Sequence, residues 1–204
     1  MRRSIISAIA IIATAAGFAA PAANAGLLYT SAPSYCDTNA VQPFLPWGDD
    51  TLYVLTPGGG FEPNMPAWSL AGGARVVSGN EPFDVHATRD NFSLSLPSGS
   101  SASSPTMCFS PGDWTLRFFA VGSGTASVKV QIVVRNLLGG LLAVLDGGTV
   151  YPGSTWQPSP ALDLTFSNLC DLLGTTRAIS LRFTSTGSGS AQVDDVYLDP
   201  WASV

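Results

Sequence analysis

Three acidic residues carry the most specific chemistry in the sequence, and they lie far apart along the chain. Glu62 follows the apolar Phe61 and a run of three glycines at positions 58–60, whereas Asp194 and Asp195 lie side by side near the C-terminus. Calcium prefers six to eight oxygen ligands from carboxylates and backbone carbonyls. The residue types therefore favour one structural Ca²⁺ held by Glu62 and Asp194, with Asp195 as a further candidate ligand.

The alternation of the last strand predicts which way these carboxylates face. Asp194, Val196 and Leu198 are expected on one face, and Asp195 and Tyr197 on the other. A carboxylate at the margin of a core face is costly unless it is paired or binds a metal. The alternative is that the Asp pair ends a surface strand and that the glutamate is solvated.

The chain around these carboxylates is predicted to consist of β-strands. Short apolar runs separated by Gly, Pro and Asp indicate an all-β, single-domain chain that forms an antiparallel sandwich or barrel. Phe92, Leu94 and Leu96 alternate with serines, which predicts that the serines face solvent. The predicted strands cover residues 52–55, 75–78, 92–96, 114–120, 127–134, 141–145, 162–166 and 179–184 and the closing run, and the one candidate helix covers residues 167–173.

The glycines at 58–60 end the first predicted strand. Glycine adopts positive φ readily and lets another backbone approach closely. We therefore expect this turn to lie beside the last strand. The β-sandwich domain is predicted to cover residues 51–201, after an irregular, proline-interrupted segment at residues 26–50.

Residues 1–25 have the layout of a secretory signal peptide. Arg2 and Arg3 precede an apolar run, and Ala23-Asn24-Ala25 is a small-x-small cleavage site. The alternative is a membrane anchor, but the apolar run is short for a span. The sequence thus predicts a secreted, extracellular protein with no membrane span in the mature chain.

Charge argues against a nucleic-acid partner. The formal net charge is −5, and loss of Arg2 and Arg3 on export would make the mature chain more acidic. Nucleic-acid binding depends on positive charge that neutralises phosphates. The oligomeric state cannot be read from the sequence.

The three cysteines predict one disulfide, since an exported chain meets an oxidising environment. Cys36 and Cys108 lie in turn-rich, polar surroundings and are the favoured pair. Cys170, among leucines, is expected to be a buried thiol. The alternative is that Cys170 pairs and one of the others stays free.

Two motifs resemble a known superfamily. Residues 58–62 (Gly-Gly-Gly-Phe-Glu), followed by Trp68, are similar to the opening of galactose-binding-like jelly rolls, which include carbohydrate-binding modules of bacterial glycanases. Residues 193–198 (Val-Asp-Asp-Val-Tyr-Leu) are similar to the last strand of the same superfamily. The chain also resembles a group of exported bacterial proteins of unknown function. The first resemblance implies a single antiparallel β-sandwich of the jelly-roll type, with a structural calcium held by Glu62 and Asp194.

Glycan binding depends on exposed aromatic rings that stack on sugars. Trp156, in a loop, is the best candidate platform, followed by Trp47 in a turn, with Tyr151 as a third. The alternative for each is a place in the core. The partner class would be a glycan or cell-wall polysaccharide.

The sequence offers little for catalysis. His86 is the only histidine, and no Gly-x-Ser-x-Gly elbow is present. A surface or structural histidine is the simpler interpretation. The prediction is therefore a non-catalytic binding protein; the alternative is a cell-surface structural or protein-interaction domain with no sugar site. A hydrolase that uses His86 is a distant third.

Overall fold

The computed structural model describes residues 39–109, 115–135, 140–164 and 177–199, without the side chains of residues 108, 109, 177 and 178. A 3₁₀ turn covers Leu45–Trp47. The strands of the described chain are β1 Val54–Leu55, β2 Ser69–Ala71, β3 Arg75–Ser78, β4 Phe92–Pro97, β5 Ser101–Ser103, β6 Met107–Phe109, β7 Thr115–Gly122, β8 Ser127–Arg135, β9 Leu141–Val150, β10 Gln157–Pro158, β11 Leu162–Asp163, β12 Arg177–Thr186 and β13 Ser190–Asp199.

These strands form two antiparallel sheets. The seven-stranded sheet has the order β10-β7-β13-β4-β3, with β1 paired to β13 and β11 paired to β7. The six-stranded sheet has the order β2-β5-β12-β8-β9, with β6 paired to β12. Neighbours in a sheet come from distant parts of the sequence, as in β13 between β7 and β4. The predicted all-β antiparallel sandwich is confirmed.

The main core lies between the two sheets. Val128, Val130 and Ile132 of β8 are fully buried there, as their alternation predicts. Leu94 of β4 and Phe183 of β12 join the same cluster from opposite sheets. Side chains from both sheets therefore form one continuous core.

A second hydrophobic cluster covers the outer face of the seven-stranded sheet. The Phe44 ring lies 5.1 Å from Tyr53, 5.4 Å from Phe119 and 5.8 Å from Tyr197, measured between centroids. All four rings are buried. The backbones of Val41 and Tyr53 also pair in both directions, at 2.9 and 2.8 Å. The described part of the predicted irregular segment is therefore packed onto the sandwich.

The prediction that the serines of β4 face solvent is wrong. Ser93 and Ser95 are buried, although they alternate with Leu94 and Leu96 as expected. The reason is that the outer face of this sheet is covered. Ser93 Oγ donates a 2.6 Å hydrogen bond to the carbonyl of Gly79, so its buried hydroxyl is satisfied.

Several predictions concern residues outside this description. They are the signal peptide at residues 1–25, the candidate helix at residues 167–173, Cys36 and Cys170, and the side chain of Cys108. The predicted disulfide stays a prediction for that reason. Within the described ranges, no helix is long and apolar enough to cross a membrane.

Candidate functional site

A bulge in β13 positions the two adjacent aspartates. The pairing of β13 with β7 shifts between Asp194 and Tyr197. Asp195, inside the bulge, has φ of +48°, a left-handed conformation that Asp tolerates better than most residues. The extra residue lets Val193 and Val196 both point into the main core.

The bulge overturns the predicted faces of the last strand. Asp194 pairs with Phe119, which belongs to the outer cluster, and directly paired residues share a face of the sheet. Asp194 therefore lies on the outer face, opposite to Val196 and Leu198. Strict alternation fails here because a bulge inserts one residue between the two halves of the strand.

The triglycine turn lies directly against this bulge. The amide of Thr56 donates to the carbonyl of Val196 at 2.9 Å, and the amide of Val196 donates to the carbonyl of Gly59 at 3.1 Å. A Cβ on Gly59 would lie 2.7 Å from that Val196 oxygen, and Gly58 has φ of +69°. Both expected uses of glycine are confirmed, and so is the predicted contact between the two stretches.

Three carboxylates are buried beside the bulge. Glu81, Asp194 and Asp195 are each at most 2% exposed. Asp194 Oδ2 accepts from the amide of Glu81 at 3.2 Å, and its Oδ1 accepts from the amide of Asp195 at 2.9 Å. Glu81 in turn accepts from the amides of Phe83 and Val85. Sequence reasoning missed Glu81, because nothing in its flanking residues marks it as buried.

Burial and mutual repulsion disfavour the ionised forms of the two aspartates. Burial, together with the neighbouring charge of Asp195, raises the pKa of Asp194 to about 9. Burial and then the charges of Glu81 and Asp90 raise the pKa of Asp195 to about 8. A cation bound at this point would relieve the repulsion and favour the charged forms.

Glu62 lies nearby with a role of its own. Its Oε1 accepts hydrogen bonds from the amides of Asn91 and Phe92, at 2.6 and 2.9 Å, and so satisfies the backbone at the start of β4. Its charge contributes to the raised pKa of Asp195. The structure thus brings the three predicted metal ligands into one region, although Glu62 and Asp194 each already accept two amide hydrogen bonds.

One oxygen of Asp195 has no hydrogen-bond partner. Its Oδ2 accepts from the amide of His86 at 3.2 Å, whereas its Oδ1 is buried without a donor. His86 Nδ1 lies 2.5 Å from Asp90 Oδ2. Ligand atoms of His86, Asp90 and Asp195 all lie within 4.8 Å of one another. His86 and Asp90 were not predicted as ligands, although their i,i+4 spacing is visible in the sequence.

An aromatic groove lies on the same outer side of the sandwich. It has a volume of about 430 Å³ and is lined by Gln42, Pro43, Pro46, Trp47, Phe83 and Val85. The half-buried Trp47 ring packs edge to face against Phe83 at 4.9 Å and against Phe119 at 5.2 Å. Trp47, one of the predicted ligand-binding residues, therefore lines this groove.

The other two predicted aromatic ligands are placed differently. Trp156 is half-buried and packs against the outer cluster, which also holds Trp47 in place. Tyr151 is 79% exposed and is not part of that cluster. Trp47 and Trp156 thus pack against one cluster, whereas the Tyr151 side chain is largely exposed.

A polar clip holds the groove wall to the sheet. Arg117 Nη1 donates to Asp49 Oδ2 at 2.6 Å, and the Tyr53 hydroxyl donates to the same oxygen at 2.8 Å. The Arg117 guanidinium also lies 4.3 Å from the centroid of the Phe44 ring. Burial opposes ionisation of Asp49, but hydrogen bonds from Arg117, Thr51 and Tyr53 outweigh it and lower its pKa.

The chain was compared with known proteins. No family model matches it, and no curated protein matches it. The solved structures that it resembles include carbohydrate-binding modules.

Three such structures illustrate the likeness. A family 61 module in complex with beta-1,4-galactotriose matches with a TM-score of 0.43 and 16% identity, covering 70% of this chain and 92% of that one. A xylan-binding family 22 domain from Paenibacillus barcinonensis gives 0.45 and 12%, covering 68% and 88%. A C-terminal family 22 module from Clostridium thermocellum gives 0.44 and 12%, covering 74% and 95%. The β-sandwich itself is defined by the two antiparallel sheets described above.

Proposed function

We propose that this protein is a secreted, non-catalytic binding protein that recognises a polysaccharide. The observation that supports the proposal is the groove that the Trp47 and Phe83 side chains line together. Aromatic faces bind the apolar faces of sugar rings, and nearby polar groups bind the hydroxyls.

The residues that line the groove favour one class of polysaccharide over another. None of its six side chains is ionisable, and Gln42 is the one polar side chain among them. The net charge of the chain is −5, which would repel an acidic polymer. A neutral polysaccharide fits this surface better than a uronate-rich one.

The proposal includes a structural calcium near the bulge. One observation supports a cation at these residues: Oδ1 of the buried Asp195 has no hydrogen-bond partner. Glu62, Asp194 and Asp195 are the carboxylates that would supply oxygen ligands. Bound calcium would supply positive charge that links the triglycine turn to the last strand, with no part in chemistry.

The test is binding of residues 26–204 to soluble xylan and beta-1,4-galactan, measured by affinity gel electrophoresis. We expect Trp47→Ala to weaken binding by up to about tenfold, since loss of one stacking contact costs about 1.4 kcal/mol at most. Phe83→Ala should weaken it too. Leu141→Ala, at an exposed position of β9 in the six-stranded sheet, is the control and should bind like the wild type.

Thermal unfolding of each variant separates loss of binding from loss of fold. Retained binding by folded Trp47→Ala and Phe83→Ala proteins would contradict the groove as the site. No binding by the wild type to either polymer, or to further neutral glycans, would favour the alternative of a cell-surface structural or protein-interaction domain.

A further inference from the structure

The unpartnered oxygen of Asp195 faces a small space bounded by groups that can bind a metal. A Cβ built on Gly60 would lie 3.2 Å from the methyl group of Met65, 3.4 Å from Asp195 Oδ1 and 3.4 Å from His86 Nδ1. The absence of a side chain at Gly60 therefore leaves room between a carboxylate oxygen and an imidazole nitrogen. This space has the size for a single bound ion rather than for another side chain.

Asp90 completes a set of three ligand atoms. Its Oδ2 lies 2.5 Å from His86 Nδ1, and one ligand atom from each of His86, Asp90 and Asp195 falls within a 4.8 Å span. Asp195 is 2% exposed, and its Oδ1 lacks a partner, so the set includes a buried ligand that still needs one. That buried, unsatisfied oxygen distinguishes the group from an ordinary surface pair of His86 and Asp90.

The imidazole decides which ion the set prefers. Calcium and magnesium are hard ions that take oxygen ligands, whereas imidazole suits Zn²⁺ and other late first-row transition metals. Two carboxylates and one imidazole provide three protein ligands and leave a fourth position of a tetrahedral Zn²⁺ site for water.

We propose that His86 Nδ1, Asp90 and Asp195 Oδ1 bind a transition-metal ion of the Zn²⁺ class in preference to Ca²⁺. The inference rests on the cation site of the proposed function: it keeps Asp195 as a ligand and adds an imidazole that calcium does not favour. On binding, Nδ1 gives up its contact with Asp90, and both groups turn to the ion. The buried carboxylates Glu81 and Asp194 add negative charge around it.

The experiment uses the tag-free chain, residues 26–204, stripped with EDTA and dialysed into chelator-free buffer. Thermal unfolding and isothermal titration are measured with ZnCl₂ alone and with CaCl₂ alone. We expect Zn²⁺ to raise the melting temperature by about 5 °C or more at saturating concentration and to bind with a stoichiometry of about one. Calcium should bind at least about tenfold more weakly than zinc.

Two variants test the ligands themselves. His86→Ala should lose the zinc-induced shift, with zinc affinity at least about tenfold lower, while keeping any calcium-induced shift. Gly60→Ala keeps every ligand but puts a methyl group into the space, and should weaken both ions. Asp50→Asn, which removes an exposed carboxylate outside the ligand set, is the control for non-specific binding and should respond like the wild type.

The outcomes separate this inference from the proposed calcium site. A calcium-induced shift with no zinc binding overturns the inference and leaves the calcium proposal standing. Zinc binding that His86→Ala retains also overturns it, because His86 is then not a ligand. The absence of any shift with either ion overturns both cation proposals, whereas glycan binding by the same protein is measured separately.

Discussion

The amide of Val196 donates a 3.1 Å hydrogen bond to the carbonyl of Gly59, and this bond joins the triglycine turn to the bulge of the last strand. The neighbouring amide of Thr56 donates back to the carbonyl of Val196 at 2.9 Å. Because the two backbones lie so close, no side chain fits at Gly59. The most specific motifs of the sequence thus form one structural joint.

This joint predicts an intolerance at Gly59. Gly59→Ala should destabilise the protein by about 1–3 kcal/mol, because its Cβ would lie 2.6 Å from Thr56 Oγ1 and 2.7 Å from the carbonyl of Val196. The measurement is the free energy of unfolding in urea. Gly153→Ala is the control, since a Cβ there meets nothing within 4 Å. Equal stability of the two variants would contradict the joint.

A second prediction concerns the segment before β1. Phe44 is fully buried and packs against Tyr53, Phe119 and Tyr197. Phe44→Ala should therefore cost about 3–5 kcal/mol, the usual loss for removing a buried aromatic ring. Leu45→Ala, at an exposed neighbour, should change the unfolding midpoint little. Similar effects of the two changes would mean that this segment is not part of the folded unit.

The clip at Asp49 predicts an acid dependence of stability. Its pKa is lower in the folded chain than in the unfolded chain, so the stabilisation is complete above the unfolded value near 4 and is lost as pH falls through the folded value. Asp49→Asn should lose about 1–3 kcal/mol at neutral pH, and the difference from wild type should shrink in acid. Urea titrations at several pH values measure it; a difference that stays constant down to low pH would contradict the clip.

The predicted aromatic ligands should separate into structural and exposed classes. Trp156 packs against the outer cluster, so Trp156→Ala should cost about 1–3 kcal/mol of stability, less than a fully buried Trp. Tyr151 is 79% exposed, and Tyr151→Ala should stay within about 0.5 kcal/mol of the wild type. Differential scanning calorimetry measures both, and the reverse order would be inconsistent with their positions.

The sequence predicted the sandwich because most strands follow simple alternation. Val128, Val130 and Ile132 face the core between the sheets as their period of two requires. The glycine run was informative for the same kind of reason, since only glycine permits the approach of two backbones seen at Gly59. The local sequence pattern was therefore enough to predict the fold and the contact between the two motifs.

The faces of the carboxylates could not be predicted, because a bulge leaves no mark in the sequence that alternation can detect. Asp195 takes φ of +48°, and the residues after it are shifted by one position. Burial of Ser93 was missed for a different reason: its hydroxyl donates to the carbonyl of Gly79, 14 residues away in the chain, and local alternation cannot predict such a contact. The same holds for Glu81, whose partner Asp194 is remote in sequence.

The buried Asp195 is proposed as a cation ligand, and Asp195→Asn is the variant that tests this role. Asparagine has nearly the same shape and tolerates the left-handed backbone, but an amide nitrogen replaces one carboxylate oxygen and the side chain cannot ionise. Melting temperatures of both proteins are measured in excess EDTA and then with excess Ca²⁺ or Zn²⁺. We expect the variant to be no less stable than wild type in EDTA, and the wild type to melt higher once an ion is added. A wild type that gains nothing from either ion, or a variant that gains as much, would contradict the claim.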